Sequence, residues 1–224
     1  MRSEHIEVWL YGSRARGDSD HESDTDVLVV SGLDADVPDI VRRLEYPRVT
    51  VSRYSWPEIE AMWSYGSLFL CHVALEGHRL QGDSERSEHL PRLLASLPSY
   101  TRGMEDHRAF GDAVREGIAS LEDGGWPDFE CSVIATVARH AAILGAYCMG
   151  EPAFGREEPF RIVGRALGYP PGEVEDLIRP AVALQRRHTV KGNASAWLHR
   201  VEKFIDDMRF VISEYEQSLR SATA

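Results

Sequence analysis

Apolar and polar positions change rhythm once along this chain. Near the start, Ile6, Val8 and Leu10 alternate with Glu7 and Trp9, which predicts a short strand running into the turn Tyr11-Gly12-Ser13. Residues 14–23 are polar and charged with one glycine, suiting an exposed loop or one short helical turn. The continuous run Val27, Leu28, Val29, Val30 predicts a buried strand, broken by Ser31-Gly32. Residues 39–44 read as a helix and residues 48–54 as a third strand. Trp56-Pro57-Glu58 then opens a helix, with Ser55 as its N-cap and the proline placed where a missing N–H costs nothing. A further apolar stretch, 68–75, precedes the turn Glu76-Gly77. Strands and helices alternating in this way predict a mixed α/β unit.

Residues 90–97, bracketed by Pro91 and Pro98, read as a connection, and after them nearly everything has helical period. Val133, Ile134, Val137, Ala141, Leu144 and Cys148 form one apolar stripe, ending near Gly150 and Pro152. Trp197, Val201, Phe204, Ile205, Met208, Val211, Ile212, Tyr215 and Leu219 form another, the mark of one long amphipathic helix starting at Gly192-Asn193. Residues 100–121 and 160–188, the latter interrupted at Tyr169-Pro170-Pro171-Gly172, complete four or five helices. The expected fold class is therefore α+β: a mixed β-sheet with flanking helices over residues 1–92, then an all-α helical bundle over 97–224.

Composition supports a folded chain. Of 224 residues 43% are hydrophobic and 27% charged, enough to bury a core. No stretch approaches the roughly 18 uninterrupted apolar residues of a membrane span. The opening MRSEHIEVWLYG has no sustained apolar segment of a secretory signal. Cys71, Cys131 and Cys148 are odd in number and widely spaced, which fits reduced thiols in a cytoplasmic protein without a membrane partner. The formal charge of −11 opposes a long polyanion, which argues against duplex DNA as the main ligand but leaves room for a local triphosphate site.

The chemistry concentrates in YGSRARGDSDHESDTDVLVV, residues 11–30. Gly12-Ser13 is followed, after ten residues, by Asp24-Thr25-Asp26 at the head of an apolar strand. Alternation along a strand turns Asp24 and Asp26 to the same side. Two such carboxylates repel unless a divalent cation lies between them, and hard oxygens of this kind suit Mg²⁺ or Mn²⁺ completed by phosphate oxygens and water. Gly12 permits close backbone approach to a ligand, while Ser13 offers a hydroxyl and an N–H to phosphate oxygens. Metal and phosphate cradle together are equipment for nucleotidyl transfer.

These residues resemble the signature of the DNA polymerase β-type nucleotidyltransferase superfamily, a Gly-Ser pair followed about ten residues later by D-x-D on a strand. The run Gly12-Ser13-Arg14-Ala15-Arg16-Gly17 is similar to the GSRARG form of minimal nucleotidyltransferases, among them antitoxin partners of HEPN ribonucleases. The resemblance implies that Gly12 and Ser13 bind the triphosphate and that Asp24 and Asp26 are the catalytic metal ligands. Arg14 and Arg16, flanking the loop, would pair with phosphate oxygens. It implies a metal-dependent nucleotidyltransferase moving a nucleoside monophosphate, AMP first among the candidates, from an NTP such as ATP to a hydroxyl acceptor. The acceptor could be a small molecule such as an aminoglycoside, a protein or a tRNA. The bundle would bind the acceptor or mediate a homodimer.

The family usually places a third carboxylate on a neighbouring strand, and residues 48–54 contain none. Glu45, Glu58 and Glu60 lie outside that strand. A strand placed elsewhere than 48–54, an acid from the helical domain, a sufficient pair of carboxylates or an impaired enzyme would each account for this. The alternative reading is thus a catalytically impaired regulatory, antitoxin or defence protein that binds nucleotide or a protein partner. For a cationic acceptor, Glu173, Glu175 and Asp176, or Asp206 and Asp207, are the candidate carboxylates, with solvated helix faces as the simpler reading. Arg186, Arg187, His188 and Lys191 form a small basic cluster read as a solvated helix end. Arg102 and His107 match the loose R-x4-H pattern of ribonucleases, a match expected by chance among nine histidines. Tyr65-Gly66-Ser67, a second Gly-Ser pair without a downstream D-x-D, reads as a turn or packing site.

Overall fold

A computed structural model describes residues 6–32, 37–82, 88–186, 188 and 193–222. It divides into two compact units, Met1–Thr101 and Arg102–Ala224.

In the first unit, β1 (Glu7–Tyr11) leads through the short α1 (Ser13–Arg16) to β2 (Thr25–Val30), α2 (Val37–Arg43) and β3 (Val49–Tyr54). Then follow α3 (Trp56–Ser64), α4 (Leu68–Glu76), β4 (His78–Gly82) and α5 (His89–Ala95). The sheet order is β3-β2-β1-β4, with β1 antiparallel to β2 and β4, and β2 parallel to β3. Because side chains alternate along each strand, two cores form. Val8, Val27 and Val29 meet Val37 and Ile40 of α2 on one face. On the other, Trp9, Tyr11, Leu28 and Val30 meet Ile59, Leu70, Val73 and Leu90 of the following helices.

Helix α3 begins as its capping signal predicts: the Ser55 N–H and hydroxyl both donate to Glu58 Oε2, each at 2.7 Å. Two features differ from expectation. Most of the expected connection at 90–97 is helix α5, whose Leu90, Leu93 and Leu94 pack into the first unit's core together with Leu97 just beyond the helix. Strand β4, HRLQG, lacks apolar alternation; it exists because β1 offers it an unpaired edge. The Tyr65-Gly66-Ser67 segment is the α3–α4 turn, where a side chain on Gly66 would strike the Pro98 carbonyl.

The second unit contains α6 (Gly103–Glu122), α7 (Pro127–Cys148), α8 (Glu158–Ala166), α9 (Pro171–Gln185), α10 (Ala194–Asp207) and α11 (Arg209–Ala222). Helix α7 is central, packed by α6, α8, α9, α10 and α11. It is long and apolar enough to cross a membrane by composition, yet 56% of that window is buried within the protein, as in a core helix. The single long C-terminal helix expected from periodicity is two helices, interrupted at Met208. Met208 is fully buried, its sulfur 2.5 Å from where a Cβ on Gly145 of α7 would lie. Asn193 caps α10 by accepting from the Ala196 N–H at 3.1 Å; Gly192, Arg187 and Lys191 lie outside the described residues.

All three cysteines are free thiols. Burial pushes Cys71 up to about 11 and, with help from the Glu216 charge, Cys148 up to about 12, so both are neutral packing groups.

Candidate active site

The site assembles at the end of the sheet where β1 stops and β2 begins. Pairing sets Tyr11 opposite Asp26, and Asp26 opposite Thr50 on β3. Residues directly opposite one another project to the same face, so Tyr11, Asp26 and Thr50 form a row. Asp24, just before β2, joins it: Thr50 Oγ1 donates to Asp24 Oδ2 at 3.3 Å. The two carboxylates therefore continue the face bearing Leu28 and Val30, but beyond the apolar core, where both are half-buried.

Gly12 follows directly, with φ 74° and ψ −155°, backbone open essentially only to glycine. A Cβ there would stand 2.5 Å from Asp26 Oδ2. Missing side chain and carboxylate thus occupy complementary space. Ser13 starts α1, which is closed by Arg16 N–H to Gly12 O at 3.0 Å and Asp18 N–H to Ser13 O at 3.1 Å. The Ser13 hydroxyl has no hydrogen bond among the described residues.

Arg14 and Arg16, expected to meet phosphate, are engaged with protein groups. Arg14 Nη2 donates to the Ser23 carbonyl at 3.1 Å, bracing the loop that delivers Asp24. That loop is further closed by Asp20, whose Oδ1 accepts from Ser23 Oγ at 2.8 Å and from the Glu22 N–H at 3.0 Å. Arg16 donates through Nε to Asp18 at 3.1 Å and through Nη1 to Glu76 Oε2 at 2.6 Å.

Sequence reasoning marked residues 68–75 as an apolar stretch before a turn at Glu76, but not that this stretch, as α4, seats the 12–17 turn. Phe69, His72 and Glu76 follow one another on α4 at helical spacing and share a face. Tyr11 meets the Phe69 and His72 rings edge-on, with centroids 5.4 and 5.2 Å apart. His72 Nε2 is 2.8 Å from Glu76 Oε2. Burial would raise the Glu76 carboxyl pKa, but His72 and Arg16 outweigh it and hold it below its ordinary value. Tyr11 is shifted up, first by burial and then by the charges of Asp26 and Asp24, against the lowering effect of its 2.8 Å hydrogen bond to Ser52. The phenol is therefore neutral beside the acid pair.

Among the described residues no group of three or more acids, histidines and cysteines could hold a metal. The acid pair fits Mg²⁺ or Mn²⁺ in a different sense, as one or two protein carboxylates that rely on phosphate oxygens and water for the remaining ligands. Strand β3 contributes hydroxyls, Thr50 and Ser52, where a third acid would stand.

The remaining candidates sit in the second unit. His107 is buried, with Nε2 2.8 Å from the Ile205 carbonyl, a core histidine. Glu175 pairs with Arg161, Asp176 with Arg200, and Asp207 with Lys203. A cavity of about 580 Å³ in this unit is lined by Asp128, Cys131, Asp176, Arg179, Trp197 and Arg200, among others.

An acid pair heading β2, a glycine turn ending its antiparallel neighbour and a parallel β3 define the first unit as a nucleotidyltransferase domain of the polymerase β type. Consistent with this, the family model described as "Nucleotidyltransferase domain" matches residues 1–57. No curated protein sequence matches the chain. Among solved structures, spectinomycin adenyltransferase AAD(9) from Enterococcus faecialis, with ATP and spectinomycin, is 13% identical at a TM-score of 0.52, covering 92% of this chain and 93% of that one. That likeness is one of fold, and it spans both units. A nucleotidyltransferase-like protein from Exiguobacterium sibiricum 255-15 is 14% identical at a TM-score of 0.40, covering 96% and 73%. A toxin-antitoxin structure with AMP-PNP is 20% identical at a TM-score of 0.29, covering 41% and 73%.

Proposed function

We propose that the protein is a metal-dependent nucleotidyltransferase that moves AMP from ATP to a hydroxyl of a small cationic acceptor such as an aminoglycoside. The observation that carries this is the juxtaposition of Gly12 with Asp26, on the face that also holds Asp24. Asp24 and Asp26 would hold the divalent cation, and Gly12 and Ser13 the triphosphate. A cation bound there neutralises charge at the attacked phosphorus and on the departing pyrophosphate. The acceptor oxygen forms one P–O bond as the bond to pyrophosphate breaks. Its hydroxyl proton would pass to solvent water, because β3 has no carboxylate to take it. Metal and proximity effects would then supply most of the rate, without the roughly 10² to 10⁴ of a positioned base.

The acceptor class draws on two supports. The chain carries a formal charge of −11, which favours cations. The neighbour of similar fold was solved with ATP and spectinomycin. The test is pyrophosphate release from Mg²⁺-ATP across an aminoglycoside panel, by wild type and by Asp24→Asn plus Asp26→Asn. Turnover that requires one acceptor and disappears in the variant supports the proposal; wild-type release in the variant refutes it.

The hydroxyl-bearing β3 favours one second reading, a catalytically impaired module that binds nucleotide or a protein partner in a regulatory, antitoxin or defence role. Mg²⁺-dependent ATP binding without turnover on any acceptor would select it.

A further inference from the structure

Both flanks of Gly12 rest on one face of α4. Before the glycine, the Tyr11 ring packs edge-on against Phe69 and His72. After it, Arg16 reaches Glu76 at 2.6 Å, with only 22% and 13% of the two side chains exposed. Glu76 Oε2 also lies 2.8 Å from His72 Nε2, so one oxygen joins the two flanks. The His78 ring, beyond α4, adds a third tie through Nε2 at 3.0 Å from the Ala15 carbonyl. The Arg16 guanidinium is thus shared between Asp18 within the turn, at 3.1 Å through Nε, and Glu76 on α4, at 2.6 Å through Nη1.

We infer that Glu76 is a positioning residue for the 12–17 turn, and that Arg16 acts as the strut between them and not as a phosphate ligand. A charged, nearly buried Arg–Glu contact has a fixed geometry, and fixing α1 fixes the Ser13 N–H and hydroxyl relative to Asp26. Glu76 touches neither acid of the pair in this arrangement; it works through Arg16. The bearing on nucleotide rests on the nucleotidyltransferase reading, but the mechanical tie does not.

The experiment uses the full chain as wild type, Glu76→Gln, Arg16→Gln, Arg16→Lys and the double variant Glu76→Gln/Arg16→Gln. Amide hydrogen exchange is read over residues 12–18 without nucleotide, and Mg²⁺-ATP affinity by equilibrium titration. Glu76→Gln and Arg16→Gln should each accelerate exchange in that segment and weaken ATP binding, each by about tenfold. The losses in the double variant should fall well short of the sum of the two single ones, because the Arg16–Glu76 contact is removed by each. Arg16→Lys should recover part of both losses, which a phosphate-binding arginine equally predicts for ATP but not for exchange in the free protein. Wild-type exchange over 12–18 in Glu76→Gln and Arg16→Gln overturns the inference. If Glu76→Gln loses protection throughout, Arg16→Gln, substituted on the turn itself, decides by the same criterion. Altered exchange alongside a wild type that binds no Mg²⁺-ATP would retain the strut and discard the nucleotidyltransferase reading.

Discussion

Asp26 closes off the side-chain space of Gly12: a Cβ on the turn residue would stand 2.5 Å from Asp26 Oδ2, well inside van der Waals contact. The glycine turn and the acid pair are consequently one structural unit. Gly12→Ala should combine backbone strain at φ 74° with displacement of Asp26. The expected loss is about 1–3 kcal/mol of stability, read by urea unfolding, with Mg²⁺-ATP binding lost as well. Unchanged affinity in a folded variant would contradict the coupling.

Thr50 stands beside Asp26 and bonds Asp24, so it marks where a third acid would sit on β3. Thr50→Asp should crowd three carboxylates together and lower the unfolding midpoint in EDTA. Added Mg²⁺ or Mn²⁺ should restore the midpoint, by the linkage between binding and folding. A variant whose midpoint ignores both metal and chelator would show that the row does not converge.

The depressed Glu76 carboxyl makes stability depend on acid. Its ordinary value is 4.5 and its folded value lower, through His72 and Arg16 acting against burial. The contribution is therefore complete above 4.5 and is lost as pH falls from there through the folded value. Between neutrality and that region wild type should be more stable than Glu76→Gln, and the gap should narrow below it. Chemical denaturation at a series of pH values measures this; a constant gap would exclude the ionic tie.

His107 serves the bundle core. His107→Ala removes the partner of the buried Ile205 carbonyl and should cost about 1–3 kcal/mol. Mg²⁺-ATP binding at the first unit should stay at the wild-type level. Metal-independent RNA cleavage that vanished in this variant would restore the ribonuclease reading.

Local pattern determined a good deal of this protein. The β-branched run after Asp26 forms β2, the Ser55–Glu58 signal starts α3, and the break at Tyr169-Pro170-Pro171 separates α8 from α9. Spacing alone turned Asp24 and Asp26 toward one side, because alternation is a property of any strand. Where a signal depended on partners, it was invisible. Strand β4 carries little apolar rhythm and is held by the edge of β1. An unbroken helical period is split at Met208, whose sulfur packs against Gly145 of α7. Arg14 and Arg16 read as phosphate ligands by position; that Arg14 also donates to the Ser23 carbonyl and Arg16 to Glu76 could not be read from spacing. Glu76 lies sixty positions from Arg16, and no short-range periodicity encodes a contact at that distance. Which charges meet is decided by the register of β1 on β2 and by the seating of α4, which are products of packing the whole unit.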